Sequence, residues 1–332
     1  MNRKHVMDPN LYQASQLLVP DQERVAQLYQ LAVSPRNPQT MESRVRTGLL
    51  LVAALLLGCG LIFWIAANWQ EQSRLFKLSL IEAALAASVL AACLWPRMRV
   101  AALFCATLVL GGLLAFVGQT YQTGADAWQL FAVWAALSLI WVGMLRSDWL
   151  WLLWVLIAAL GIVMWTGRLD WWDVLFIGNG SQLRSWLNIG LWLALLCVPT
   201  LVSLLPWLRV QGGMCWWSHR AALACALAVW SSMFVAQIFD FEERGTGVVL
   251  ICTLALVAAS LVLSLHGRFQ DYVSLCLATL AVNVLLLSAA ARVLVQADIG
   301  ALLIFGLVGL ACLGGSVRWL VSVQQRMREE QV

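Results

Sequence analysis

Long runs of apolar residues alternate with short polar segments along the chain from residue 47 onward. Thr47–Gln70 and Val100–Ala125, for example, contain no Asp, Glu, Lys, Arg or His. About twenty apolar residues in a helix span the hydrocarbon core of a bilayer, where only helices and closed barrels satisfy their backbone groups. Because these runs are too long and too uniformly apolar for barrel strands, the pattern predicts an all-α, polytopic transmembrane helical bundle. About ten spans are expected, at residues 47–67, 75–95, 100–118, 127–145, 149–165, 187–208, 221–239, 248–265, 272–294 and 299–320.

The composition excludes a soluble fold. Of the 332 residues, 62% are hydrophobic and 11% are charged, whereas about 25% of the residues in a soluble domain are charged. Most of the 21 Lys and Arg residues fall before the first span, in alternate loops and after the last span. Because Lys and Arg are enriched on the cytoplasmic side of membrane proteins, both termini are expected in the cytoplasm. The net charge of +4 therefore reflects topology, and no nucleic-acid partner is expected.

The span pattern divides the chain into three parts. Residues 1–46 are predicted to form a cytoplasmic N-terminal segment with short amphipathic helices, 47–320 the transmembrane helical domain and 321–332 a cytoplasmic tail. An N-terminal segment of this length is too small to be an independent enzyme domain. It is expected to dock on the inner loops, to lie on lipid headgroups or to bind a partner.

Glu82 lies about two turns into the second span. An ionised carboxylate at that depth costs about 3 kcal/mol on insertion scales, so Glu82 is expected to face the bundle interior. There it would pair with Lys77 or Arg292, or take up a proton. Two interpretations follow: Glu82 couples proton or cation movement, or it is a structural polar group that bonds across helices.

A polar run connects the third and fourth spans, from Gly118 to Asp126. Gln119 and Gln122 are one helical turn apart and can present two amides together, with Tyr121 between them. Asp126 and Gln129 have the spacing of a helix capping box. The run is interpreted either as a hairpin turn at the interface or as a loop that dips inward and lines a water-filled pocket.

Other polar and small residues have structural interpretations. Asp148 and Asp271 stand where the N-caps of the fifth and ninth spans are expected, and Asn283 is near the middle of the ninth. Nineteen tryptophans are present, and those near span ends are expected to anchor at the headgroups. These are Trp64, Trp69, Trp95, Trp128, Trp149, Trp151, Trp165, Trp207 and Trp319.

Small residues spaced four apart predict close helix packing or an oligomer interface. They occur as Ala83, Ala87 and Ala91, as Ala84, Ser88 and Ala92, as Gly111 with Ala115, and as Ala311 with Gly315.

No motif for catalysis is present. The three histidines (His5, His219 and His266) are scattered, no two cysteines form a C-x-x-C pair, and no nucleotide-binding or hydrolase motif occurs. The protein is therefore expected not to be an enzyme and to need no metal or cofactor.

Two segments resemble a known family. Ala66–Trp69 followed by Arg74–Leu78 forms one motif, and Gly118–Phe131 forms the other. Together they resemble domain-of-unknown-function family 2157, which comprises predicted bacterial polytopic membrane proteins, over about residues 10–150. The resemblance implies a bacterial inner-membrane location with no established activity. Members are often encoded beside other uncharacterised membrane proteins, which favours a complex.

Two hypotheses for function follow. In the first, the chain is a non-catalytic subunit or scaffold of a membrane complex, whose partners are membrane lipids and other membrane proteins. In the second, it transports a small solute or an ion. The transporter hypothesis uses five polar residues to line a path: Glu82, Gln119, Tyr121, Gln122 and Asn283.

Overall fold

The computed structural model describes residues 38–121, 124, 126–166, 182–205, 210, 215–239, 247–265, 270–294 and 300–329. These residues form ten α-helices and contain no strand. The helices are α1 (Pro38–Ala67), α2 (Arg74–Leu94), α3 (Arg99–Tyr121), α4 (Ala127–Leu145), α5 (Asp148–Thr166), α6 (Gln182–Leu204), α7 (Trp216–Phe239), α8 (Gly247–Leu265), α9 (Tyr272–Leu294) and α10 (Gly300–Glu329).

Each predicted span coincides with one helix, so the all-helical polytopic fold is confirmed. The two outermost helices are longer than predicted, since α1 begins at Pro38 and α10 continues to Glu329. Within the described ranges, nine helices are long and apolar enough to cross a membrane. The apolar part of α8 that the structure describes, Leu250–Leu265, is shorter than these nine helices. The side of the membrane on which the termini lie stays a prediction, and most of the N-terminal segment is outside the described residues.

Short polar connections set the antiparallel packing of neighbouring helices. Ser73 is the N-cap of α2, where its hydroxyl oxygen accepts a hydrogen bond of 3.3 Å from the amide of Phe76. Arg146 ends α4 with a positive φ of 50°, and α5 begins two residues later. The left-handed residue closes α4, so that the chain reverses direction within two residues.

The core of the bundle lies along four helices, α3, α5, α7 and α9. α3, α5, α7 and α9 form a row in which each helix packs against the next, and α4, α6 and α8 pack between successive members of that row. α1 and α2 pack on α3 at one end, and α10 packs on α9 at the other. The largest apolar side chains with no exposed surface lie along the row: Val109 on α3, Leu150 and Val155 on α5, Trp230 on α7 and Leu275 on α9.

Tryptophan side chains join α3, α4 and α5. The indole N–H of Trp134 donates to the carbonyl of Thr107 at 2.7 Å, and that of Trp141 donates to the Thr107 hydroxyl at 2.9 Å. The indole N–H of Trp154 donates to the carbonyl of Ala135 at 2.9 Å. Inside a membrane such bonds satisfy the polar end of the indole without water.

The prediction that Trp151 anchors at the lipid headgroups is wrong. Its side chain is only 3% exposed and packs edge-on against Trp154, with ring centroids 5.7 Å apart. Trp151 is near the start of α5, but it lies on the face that packs against α3 and α4 in a cluster with Val142 and Leu103. Position along a span indicates depth in the membrane, whereas helix rotation decides whether a side chain meets lipid or protein.

Gly111 is required by the tryptophan contacts. A Cβ at this position would lie 2.3 Å from a ring carbon of Trp134. We expect Gly111→Ala to displace Trp134 from Thr107 and to lower the free energy of unfolding by about 1–3 kcal/mol, the usual cost of overpacking. SDS-induced unfolding in mixed micelles measures this change.

The matched control is Gly60→Ala on α1, where a Cβ would meet nothing within 4 Å. This variant should change the free energy of unfolding by less than about 1 kcal/mol, since Ala is the better helix former. Equal effects of the two substitutions would contradict the role given to Gly111.

Candidate functional site

Glu82 lies on the exposed side of α2, so the expectation that it faces the bundle interior is wrong. The buried side of α2 is formed by Lys77, Ile81 and Ala92. Glu82 follows Ile81, and successive residues are rotated by about 100° around a helix. The apolar residues that pack on α3 therefore direct the carboxylate outward. Within the described part of the chain, Glu82 makes no hydrogen bond or ion pair.

Lys77 does not pair with Glu82. Its side chain is only 3% exposed, and its ammonium group donates a hydrogen bond to the carbonyl of Trp69. The ammonium nitrogen also lies 4.1 Å from the centre of the Trp69 ring, which stacks edge-on against Phe116. A cation is favourable over an aromatic face and beside the carbonyl groups at the C-terminal end of a helix, here α1. Lys77 therefore joins the end of α1 to α2.

This contact explains the first family motif in physical terms. Asn68 donates a side-chain hydrogen bond of 2.8 Å to the carbonyl of Trp64 and so covers a backbone group at the end of α1. Trp69 and Lys77 then join the helix ends. Between them, these three motif residues organise the turn from α1 to α2.

The described part of the polar run between the third and fourth spans is mostly exposed, although the Thr120 hydroxyl is buried without a hydrogen-bond partner in the described residues. Gln119 and Tyr121 belong to the last turn of α3 and are exposed, as is Asp126. The predicted capping box is not formed: the Asp126 carboxylate makes no cap bond and instead accepts from the indole N–H of Trp128 at 3.3 Å. Gln122 lies outside the described residues.

Asn283 joins α9 to α10. It is buried, and its side-chain oxygen accepts a hydrogen bond of 3.0 Å from the Ser316 hydroxyl. The described candidate residues thus lie on three parts of the fold: Glu82 on the outside of α2, Gln119, Tyr121 and Asp126 at the connection of α3 to α4, and Asn283 between α9 and α10. These positions do not define a single site.

One polar cluster with many hydrogen bonds was not predicted as a unit. It lies where α5, α7 and α9 begin, and we call Asp148, Cys215, Ser218, Arg220 and Asp271 the helix-start cluster. The Asp148 carboxylate accepts from the backbone amides of Trp217 at 2.8 Å and Ser218 at 3.1 Å, and from the Ser218 hydroxyl at 2.7 Å. Asp148 therefore caps α7, although its sequence position predicted a cap for α5.

Asp271 is the N-cap of α9, as predicted. Its carboxylate accepts from the amide of Ser274 at 2.9 Å, and also binds the Arg220 guanidinium of α7 through two nitrogens at 2.9 and 2.6 Å. Burial raises the pKa of the Asp271 carboxyl, but the hydrogen bonds from Arg220 and Ser274 outweigh burial and hold the pKa below its usual value. The Arg220 guanidinium also lies 5.4 Å from the centre of the Trp217 ring.

Cys215 is fully buried and is not a reactive thiol. Burial, with the nearby charge of Asp148, raises the pKa of the Cys215 thiol to about 11, so it stays protonated at neutral pH. Its backbone amide donates to the Ser203 hydroxyl of α6 at 3.1 Å. The helix-start cluster therefore holds the beginnings of α5, α7 and α9 together. Over the described ranges, no group of three or more His, Cys, Asp and Glu side chains is placed to hold a metal ion.

A few buried polar atoms on α6 and α7 have no hydrogen-bond partner in the described part of the chain. They are the side-chain oxygens of Asn188 and Gln237, the indole nitrogen of Trp230 and the hydroxyl of Ser231. The Asn188 amide nitrogen lies 3.9 Å from the sulfur of Met233. Asn188 is far from Trp230 and Ser231 in the sequence, so no sequence pattern predicted that these polar atoms lie on two helices that pack together.

The comparison with known families bears on the first four helices. Residues 11–151 match the model of a family described as "Predicted membrane protein (DUF2157)". The resemblance predicted from the two motifs is confirmed. The DUF2157 match extends over α1 to α4 and the first residues of α5, and includes Glu82, Lys77 and Gly111. No curated protein and no solved structure matches the chain.

The Arg220–Asp271 ion pair predicts an acid-sensitive contribution to stability. A carboxyl whose pKa is lowered on folding stabilises the folded state above its unfolded pKa of about 3.9, and this stabilisation is lost as the pH falls through the folded pKa. We therefore expect the wild type to lose more unfolding free energy than Asp271→Asn below about pH 4. Thermal unfolding in detergent across this pH range measures the difference.

Asp271→Asn is a matched variant because Asn is also a good N-cap and can still accept from Ser274. Parallel stability profiles for the two proteins would contradict the ion-pair contribution.

Proposed function

We propose that the chain is a non-catalytic subunit or scaffold of a bacterial inner-membrane complex. The observation that supports this most is the outward position of Glu82. An unpaired carboxylate facing lipid at mid-span is costly, and polar residues within spans normally face protein or a water-filled cavity. A partner that covers α2 removes this cost.

The small residues support the same proposal. Ala84, Ser88 and Ala92 face the bundle to varying degrees, and Gly111 contacts Trp134, so these residues are used in the packing of the chain itself. Two other sets face outward: Ala83 with Ala87 on α2, and Ala311 with Gly315 on α10. Outward small residues permit close approach of helices from another protein.

The alternative is a transporter of a small solute or an ion. One observation favours it: the orphaned polar atoms of Asn188, Trp230 and Ser231 are suited to bind water or a solute. Against it, two grooves in the described part of the chain are almost wholly apolar. One of about 470 Å³ lies between α4, α5 and α6 with aliphatic and aromatic walls, and one of about 370 Å³ between α7 and α9 has Ser231 and Ser232 as its polar residues.

Purification from native membranes distinguishes the two hypotheses. The chain, tagged at its natural abundance and extracted in a gentle detergent, should co-purify with a membrane protein in a fixed stoichiometry by quantitative mass spectrometry. An untagged strain is the control for nonspecific recovery.

Recovery of the chain with lipid alone would contradict the subunit proposal. Solute flux in proteoliposomes, compared between the wild type and Asn188→Leu, would then test the transporter hypothesis. Equal flux in both proteins would argue against a path that passes Asn188.

A further inference from the structure

We infer that the exposed side of α2 around Glu82 binds a transmembrane helix of a different protein, and that this helix has a Lys or Arg at the depth of Glu82. The inference rests on the proposed function and names the surface and the chemistry of the partner. We call Ser79, Glu82, Ala83, Ala86 and Ala87 the Glu82 face. All five side chains are exposed.

The depth of Glu82 requires a partner within the membrane. α2 has 21 residues, from Arg74 to Leu94. At 1.5 Å per residue, Glu82 is about 12 Å from the first residue of α2 and about 18 Å from the last. The hydrocarbon core is about 30 Å thick, so neither helix end brings the carboxylate near water.

The shape of the Glu82 face suits a helix. Its five residues lie within one side of α2, because they are spaced three and four apart. Four of them are Ser or Ala, whereas the same side is bounded by Leu75 and Leu90, which are 79% and 58% exposed. Small side chains between larger ones form a shallow recess, into which a second helix packs closely.

The described part of the chain offers no cation to this carboxylate. Lys77, the nearest basic residue along α2, is buried and bound to Trp69. Glu82 has no partner of its own in the described ranges. Charge complementarity therefore favours a basic group on a helix of another protein, since intramembrane carboxylates usually pair with a Lys or Arg on a neighbouring helix.

A second copy of the chain does not fit this requirement. A two-fold contact between α2 helices places two Glu82 carboxylates together, where like charges repel. Arg318 of a second copy is 18 residues from the start of α10, whereas Glu82 is eight residues from the start of α2. If the two helices cross the membrane in the same direction, Arg318 therefore lies about 15 Å deeper than Glu82. Arg292 is two residues from the end of α9 and already interacts within the chain.

Photo-crosslinking of the full chain in native membranes tests the surface. A photoreactive amino acid at position 86 should form a crosslink to one other membrane protein, on a helix with Lys or Arg within one turn of the crosslinked residue. Position 92 is the matched control on the same helix, since Ala92 is 4% exposed and should crosslink only within the chain. Position 56, where Leu56 is 67% exposed on α1, is the lipid-facing control.

Three outcomes would overturn the inference: a crosslink from position 86 to a second copy of the chain, a crosslink to lipid alone, or a crosslink to a helix without a basic residue at that depth. If a stoichiometric partner co-purifies but crosslinks only from other positions, the inference fails while the proposed function stands. If no partner co-purifies, both fail.

A charge exchange tests the chemistry. Glu82→Lys should lower recovery of the partner by more than about tenfold, because it replaces attraction by repulsion in a buried pair. Exchange of the partner's basic residue for Glu should restore recovery. Loss without restoration, at equal abundance of both proteins, would show that the pair does not form.

Neutral variants keep the test valid if Glu82→Lys is not inserted. Glu82→Gln preserves the volume of the side chain, and Gln in place of the partner's basic residue removes the second charge. Each single change should weaken binding, and the double change should weaken it no further than the worse single change. Fully additive losses would contradict a direct pair.

Discussion

The hydrocarbon core of a bilayer contains no water, so a polar group on a transmembrane helix depends on partners supplied by protein. This constraint explains most of the internal contacts. The Thr107 hydroxyl and carbonyl accept the indoles of Trp141 and Trp134, and Asn283 accepts from Ser316. Glu82 differs from these residues because it is an exposed ionisable group at mid-span with no partner in the described part of the chain. The proposed function depends on that difference.

Two sets of contacts fasten the two parts of the bundle. Lys77 over Trp69 joins α1 to α2, and the Trp134–Gly111 contact joins α4 to α3. All four helices lie within the DUF2157 match. The helix-start cluster joins α5, α7 and α9, through Asp148 and through the Arg220–Asp271 ion pair. Most of this second set lies beyond the match. The proposal places other proteins on the outward faces of α2 and α10, where Ala83, Ala87, Ala311 and Gly315 are exposed.

The positions of the helices could be predicted from the sequence, but the rotation of each helix about its own axis could not. Uninterrupted apolar runs predicted all ten helices, because the length of a span is fixed by bilayer thickness. Which face of a uniformly apolar helix is buried has little signal in hydropathy, so Glu82 and Trp151 were assigned to the wrong surroundings. Asp271 was predicted as a cap because capping is local. Asp148 caps α7, 69 residues away in the chain, and a pairing at that distance depends on tertiary packing.

The central claim is that the chain alone leaves the Glu82 face uncovered. The most direct test is the collision rate of dissolved oxygen with a nitroxide amino acid at position 86, in proteoliposomes of the purified chain. Position 92, which is buried and about 120° around α2 from position 86, is the internal reference. The account predicts high oxygen accessibility at position 86 and low accessibility at position 92. Low accessibility at both positions would show that the chain itself covers Glu82, and would contradict the account.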